Sequence, residues 1–122
     1  MKKIQKMSDA EKQIMKFIWT LNRPTTTREI IENLSKDTDW KQSTVVTFLA
    51  RLIEKGVLMA TRISKANYYE PCITEQEYLD FETREFIKDV HKGSVLGFIN
   101  ALCDNGELTL EDIEHLKNRL KE

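Results

Sequence analysis

The chain is poor in the parts from which most catalytic and metal sites are assembled. Its four glycines are too few to build a glycine-rich phosphate loop, and no nucleophile–base signature accompanies them, so no enzyme is expected. The two cysteines, Cys72 and Cys103, stand far apart, with no second cysteine near either. That excludes a disulfide framework or a zinc ribbon and leaves a reduced thiol pair. Apart from Cys72 and the carboxylates, the other metal-capable residues are His91, Cys103 and His115. None has ligand spacing, so neither a metal site nor a cofactor is expected. No apolar run approaches the roughly 20 residues needed to span a bilayer, which argues against membrane insertion. The first residues, MKKIQKMSDAEKQ, lack the apolar core of an export signal, and a cytoplasmic location is the expectation.

The chain is instead rich in charge, at 32% charged and 40% apolar residues over 122 positions. This is a soluble, helix-leaning composition for one compact domain or two small ones. The formal net charge of −1 conceals an asymmetry: residues 1–73 hold 13 Lys and Arg against 8 Asp and Glu, whereas residues 74–122 hold 6 against 12. A basic first part and an acidic second part imply that only the first meets a polyanion.

Residues 40–56, WKQSTVVTFLARLIEKG, organise the reading. Val45, Phe48, Leu49 and Leu52 recur at helical spacing and form a buried stripe, and Gly56 supplies the stop. The opposite face carries Ser43, Thr44, Val46, Thr47, Ala50 and Arg51. These side chains are short, several form hydrogen bonds, and one is cationic, as suits a helix that enters the DNA major groove. Taken alone the stretch also suits an ordinary core helix; its neighbours decide. Ser8 to Glu11 is a capping box that opens a helix carrying Ile14, Phe17, Ile18 and Leu21, and Pro24 ends that helix. Thr26 to Glu29 repeats the box before a short helix with Ile30, Ile31 and Leu34. A polar turn at residues 35–39 then leads into the third helix, which together reads as helix-turn-helix.

Residues 57–62 and 67–70 suit two strands of a hairpin. A hairpin directly after a recognition helix is a wing, with Arg62 at its shoulder and Lys65 near its tip placed for phosphates. Lys2, Lys3 and Lys6 form a basic arm ahead of the first helix, expected to be mobile. Past Pro71, a third capping box at Thr74 opens a helix to about residue 91. A strongly apolar helix follows at 94–103, and Thr109 caps a last amphipathic helix. The expected architecture is mainly α with a small β-hairpin: a winged helix-turn-helix domain at 1–73 and a three-helix dimerisation domain at 74–122. Three helices of that length seldom close their own core, so Phe86, Val90, Leu96, Phe98, Ile99, Leu116 and Leu120 are expected to meet a second copy across a two-fold axis.

These residues carry a resemblance to the penicillinase-repressor family over nearly the whole chain. It lies in Glu11 with Ile14-Met15 and Ile18-Trp19, in Thr26 with Glu29-Ile30, and most specifically in Ser43-Thr44-Val45, Thr47-Phe48-Leu49, Arg51-Leu52 and Glu54-Lys55-Gly56. Tyr68-Tyr69 and residues 105–108 also fit. The resemblance implies a homodimeric winged-helix repressor of antibiotic-resistance genes, bound to a pseudo-palindromic double-stranded operator. It also implies inactivation when a membrane metalloprotease sensor triggers cleavage in the dimerisation domain. The family's asparagine–phenylalanine cleavage bond aligns with Asn100–Ala101. The chain departs from the family at Lys41, commonly a capping serine, and at Val46, commonly basic; both alter a DNA face that also includes Ser43, Thr44, Thr47, Arg51, Arg62 and Lys65. Clustered cysteines of the copper-responsive branch are absent. Two other readings stay open: a ligand-sensing regulator whose pocket is lined by helix 94–103, and a winged helix used for protein interaction because its DNA face is only weakly basic.

Overall fold

Each capped helix starts where a short oxygen-bearing side chain satisfies free N–H groups of its first turn. The computed structural model describes residues 3–34, 36 and 38–122; the expected arm residues Met1 and Lys2 and turn residues Ser35 and Asp37 lie outside them. The order is α1 (Asp9–Leu21), α2 (Thr27–Leu34), α3 (Gln42–Glu54), β1 (Leu58–Ile63), β2 (Ala66–Pro71), α4 (Glu75–Val90), α5 (Val95–Asp104) and α6 (Leu110–Leu120). Both halves of the capping box form at Ser8 and Glu11, at Thr74 and Glu77, and at Thr109 and Asp112. The box expected at Thr26 forms only by half. Thr26 accepts from the Glu29 backbone at 3.2 Å, but the Glu29 carboxylate turns to Arg23 and Thr25 instead. An arginine fork offers two charge-assisted bonds where a backbone amide offers one.

The chain divides into two compact units, Met1–Phe81 and Glu82–Glu122. The boundary expected at residues 73 and 74 falls later because the start of α4 belongs to the first unit. Tyr78 is buried there, and its hydroxyl accepts from the Met7 backbone N–H at 2.7 Å. The core of this unit is built from Ile14, Met15 and Ile18 of α1, Ile30 of α2, Val45, Leu49 and Leu52 of α3, and Val57 and Leu58. The helical stripes expected from spacing thus converge in one place. β1 and β2 are antiparallel, with Leu58 opposite Pro71 and Ile63 opposite Ala66. Ser64 and Lys65 make the turn, shorter than the four-residue loop expected. Thr25 pairs with Tyr69 on the other edge of β2, with N–H donations of 2.9 Å and 2.7 Å running each way.

The expectation of a mobile basic arm is corrected for its described part. Met7 is buried, Ile4 packs against the core, and the Gln5 N–H donates to the Lys55 carbonyl at 3.0 Å. An apolar residue every third position, Ile4 and Met7, gives this segment a reason to dock that its lysines obscured.

In the second unit the rings of Phe86, His91 and Phe98 meet at centroid distances of 5.4–5.7 Å. Ser94 caps α5 by accepting from the Gly97 N–H at 2.8 Å. No residue of 82–122 is fully buried, and Leu96 and Leu120 are 67% and 85% exposed.

Glu11 is 1% exposed. Its carboxylate accepts from the Ser8 N–H at 2.8 Å and from Lys55 Nζ at 2.5 Å. Burial pushes this carboxyl up, but the bonds from Lys55 and Ser8 outweigh it and hold the group below its ordinary value. Lys55→Met should therefore cost about 3 kcal/mol at neutral pH, read by urea unfolding, because it leaves a buried carboxylate without its cation. A group whose folded-state pKa is depressed contributes stability above its unfolded pKa and loses it on acidification. The gap between wild type and variant should accordingly persist above the ordinary carboxylate value of 4.5 and close as pH falls below it.

Candidate nucleic-acid interface

The buried stripe of α3 fixes what its other side can be. With Val45, Leu49 and Leu52 in the core, the outward ridge consists of Ser43, Val46, Thr47 and Ala50, at helical spacing i, i+3, i+4 and i+7 and all exposed. Arg51 is exposed beside this ridge and Lys41 stands exposed at the N-cap. Thr44, grouped with the face from sequence, is half-buried on the flank between the ridge and the core. The Thr47 hydroxyl donates to the Ser43 carbonyl at 2.9 Å. No acidic residue occupies the first turn of α3, so the positive end of the helix dipole is not neutralised by a carboxylate there.

The helix ends in a Schellman motif. Val57 N–H donates to the Leu52 carbonyl at 3.2 Å and Gly56 N–H to the Ile53 carbonyl at 3.1 Å, while Gly56 sits at φ 80°, a conformation that glycine adopts without strain. This turn sends the chain straight into β1 and so couples the hairpin to the helix. At the hairpin end Arg62 and Lys65 are both exposed, and the Arg62 guanidinium lies 3.4 Å from Asn67 Oδ1 and from the Lys65 carbonyl. The structure therefore brings together Ser43, Val46 and Thr47 on one ridge and Arg62 with Lys65 on one hairpin end. The residues expected to dimerise and the Asn100–Ala101 bond lie in the second unit.

Two supports of the interface escaped the sequence reading. Lys41 makes no capping bond; instead the Trp40 ring, just ahead of the N-cap, meets Phe48 of the second turn edge-on at 5.2 Å. An aromatic just before the N-cap was the available signal. The second support is the Arg23–Glu29–Thr25 cluster, whose Glu29 carboxyl is held down to about 2, chiefly by the Arg23 hydrogen bond and next by Thr25. Thr25 also pairs with Tyr69, so this cluster links α2 to the hairpin.

Three packed helices followed at once by an antiparallel hairpin define a winged helix-turn-helix domain. The chain belongs to the penicillinase repressor family, whose model matches residues 7–122. It is 35% identical over 129 residues to the penicillinase repressor of Bacillus licheniformis, with 100% of both chains covered. It is 27% identical over 118 residues to the methicillin resistance regulatory protein MecI of Staphylococcus aureus, covering 97% of this chain and 95% of that one. The solution structure of the Bacillus licheniformis BlaI monomeric form in complex with the blaP half-operator is similar, with a TM-score of 0.53 and 42% identity over 64% of this chain and 94% of that one. The family is one of repressors, not of enzymes.

Trp40 offers a direct test of how α3 is seated. Trp40→Ala should lower stability by about 2 kcal/mol, less than a fully buried tryptophan would, and should weaken DNA binding under conditions where the variant remains folded. Trp40→Phe should restore most of both, as read by thermal unfolding and fluorescence anisotropy on one preparation.

Proposed function

We propose that this protein is a transcriptional repressor that binds a pseudo-palindromic operator as a homodimer, each copy placing α3 in the major groove and its hairpin along the adjacent backbone. The observation that carries the reading is the exposed, acid-free ridge of α3 together with the exposed Arg62 and Lys65 of the hairpin that follows it, supported by membership of a repressor family and by likeness to a BlaI form in complex with a half-operator. Ser43, Thr44 and Thr47 reach the groove, while Lys41, Arg51, Arg62 and Lys65 serve phosphates. Half-sites lie on one face of the duplex, about one helical turn or a multiple of it apart. Affinity should fall with salt, with a slope of roughly −0.9 per phosphate contact on logarithmic axes. Thr47→Glu, which drives a carboxylate into the groove, should lower specific affinity by at least ~100-fold while the circular dichroism spectrum and unfolding midpoint stay near wild type. Wild-type affinity in a folded Thr47→Glu variant would exclude α3 as the reader.

The exposed apolar surface of the second unit supports the dimer. Phe86, Val90, Leu96 and Leu116 are exposed in the single chain, Leu120 more so, and Phe98 and Ile99 are half-buried. Burying these residues against a second copy removes apolar surface that one copy leaves in water. Operator release follows cleavage of Asn100–Ala101, set off by a membrane metalloprotease sensor. The bond lies within α5, where the Ala101 carbonyl accepts from the Asn105 backbone at 3.1 Å and from its side-chain amide at 2.9 Å. A cut there would part α6 from most of α5 and place new charged termini in an apolar contact. Leu96→Ala combined with Leu120→Ala should shift sedimentation from dimer toward monomer, each change costing about 2 kcal/mol or more where the leucine is buried. Intact-mass measurement on protein from induced cells should show a fragment ending at Asn100. Full-length protein released from DNA would point instead to ligand sensing.

A further inference from the structure

We propose that the α3 ridge selects thymine, with Val46 at its centre making apolar contact with the C5-methyl groups that thymines present in the major groove. The inference rests on the reading of α3 as the groove-entering helix and adds to it the base class that the helix accepts. Val46 is 44% exposed and is the large apolar side chain that α3 leaves in solvent. Its neighbours on the ridge reinforce its character. Ala50 offers only a methyl group, and Thr47 has committed its hydroxyl hydrogen to the Ser43 carbonyl, which leaves a γ-methyl and an acceptor but no donor. The remaining hydroxyl on the ridge is that of Ser43, at its N-terminal end.

The major-groove edges of the bases respond differently to such a surface. Guanine presents two acceptors, N7 and O6, and is bound by paired donors such as an arginine fork; adenine is bound by the amide of Asn or Gln; thymine alone carries a methyl group. None of the four ridge positions holds Arg, Lys, Asn or Gln. A guanine facing Val46 would lose water from its acceptors and gain no partner, which disfavours it. A thymine there would bury its methyl against Val46 and Ala50 at no such cost. Discrimination therefore has two sources, the burial of thymine's methyl group and the hydrogen bonds that guanine would leave unmade. Gln42 and Arg51 border the ridge, so polar reading is confined to its margins.

The test starts with full-length protein selecting duplexes from a random pool, followed by synthesis of the enriched site with each thymine in turn replaced by deoxyuridine. This substitution removes the methyl group and keeps every hydrogen-bonding group of the base. Enrichment of thymine at two or more positions of each half-site is expected, with roughly threefold to tenfold weaker binding per contacted methyl removed. Val46→Ala should lose most of that sensitivity at one of these positions, and Val46→Arg should shift the selected base there toward guanine. Uracil substitution that leaves affinity unchanged at every position, or equal sensitivity in wild type and Val46→Ala, overturns the thymine assignment while α3 remains the reader. Failure to enrich any sequence would instead overturn the groove reading, and this inference with it.

Discussion

The first unit depends on one buried carboxylate. Glu11 closes the start of α1 through the Ser8 N–H and holds Lys55 at the end of α3. The two helices are thereby fixed at the point where α3 stops and the hairpin begins. Desolvating that carboxylate is unfavourable, and the Lys55 cation at hydrogen-bond distance, with the Ser8 bonds, offsets it. The same lysine gives its carbonyl to the Gln5 N–H, so the residues before α1 are tied to the same corner. Gly56 then turns the chain at a left-handed backbone angle and β1 follows at once. The register between α3 and the hairpin is thus set from beneath, by Glu11, Lys55 and Gly56.

That arrangement explains how α3 can carry so helix-averse a surface. Thr44, Val45, Val46 and Thr47 are consecutive β-branched residues, which lose side-chain freedom in a helix, and the helix begins without a capping side chain. Tertiary burial supplies what propensity does not: Val45, Leu49 and Leu52 are each at most 1% exposed, and Trp40 against Phe48 steadies the first turn. Because the buried side secures the helix, the outward ridge is free to vary without cost to the fold.

The winged helix was largely legible in the residues, and the reasons differ from element to element. α1 and α3 carry long stripes at an unambiguous helical period, and Gly56 marks the end of α3 without competition. The hairpin followed from two β-prone runs, although its turn proved to be the pair Ser64 and Lys65. What sequence did not reveal was partner choice among groups able to bond in several ways. Glu29 fits a capping box by spacing, yet Arg23 and Thr25 capture it. Thr44 lies within the outward window by count, but it falls on the flank of α3 between ridge and core and is half-buried. The basic arm read as solvated because lysines dominate its composition, whereas Ile4 and Met7 decide where it lies. Tyr78 joins the start of α4 to the first unit through a bond between residues 71 positions apart, which no local pattern announces.

The second unit follows a different physical logic. Its helices are well started, by Ser94 at α5 and Thr109 at α6, so local structure is specified while burial is not. In a single copy Phe86, Val90, Leu96, Leu116 and Leu120 are exposed to water, and a unit so small rarely closes a core by itself. In the proposed dimer this is an advantage to a weakly basic reader. Residues 1–73 have a net charge of only +5, and one such domain would hold a half-site loosely at physiological salt. Joining two domains turns the second half-site contact into an intramolecular event, with an effective concentration set by the connecting structure. Assembly and operator occupancy then become one linked equilibrium, in which any loss of apolar contact between copies is felt at the DNA although no residue of α3 has changed.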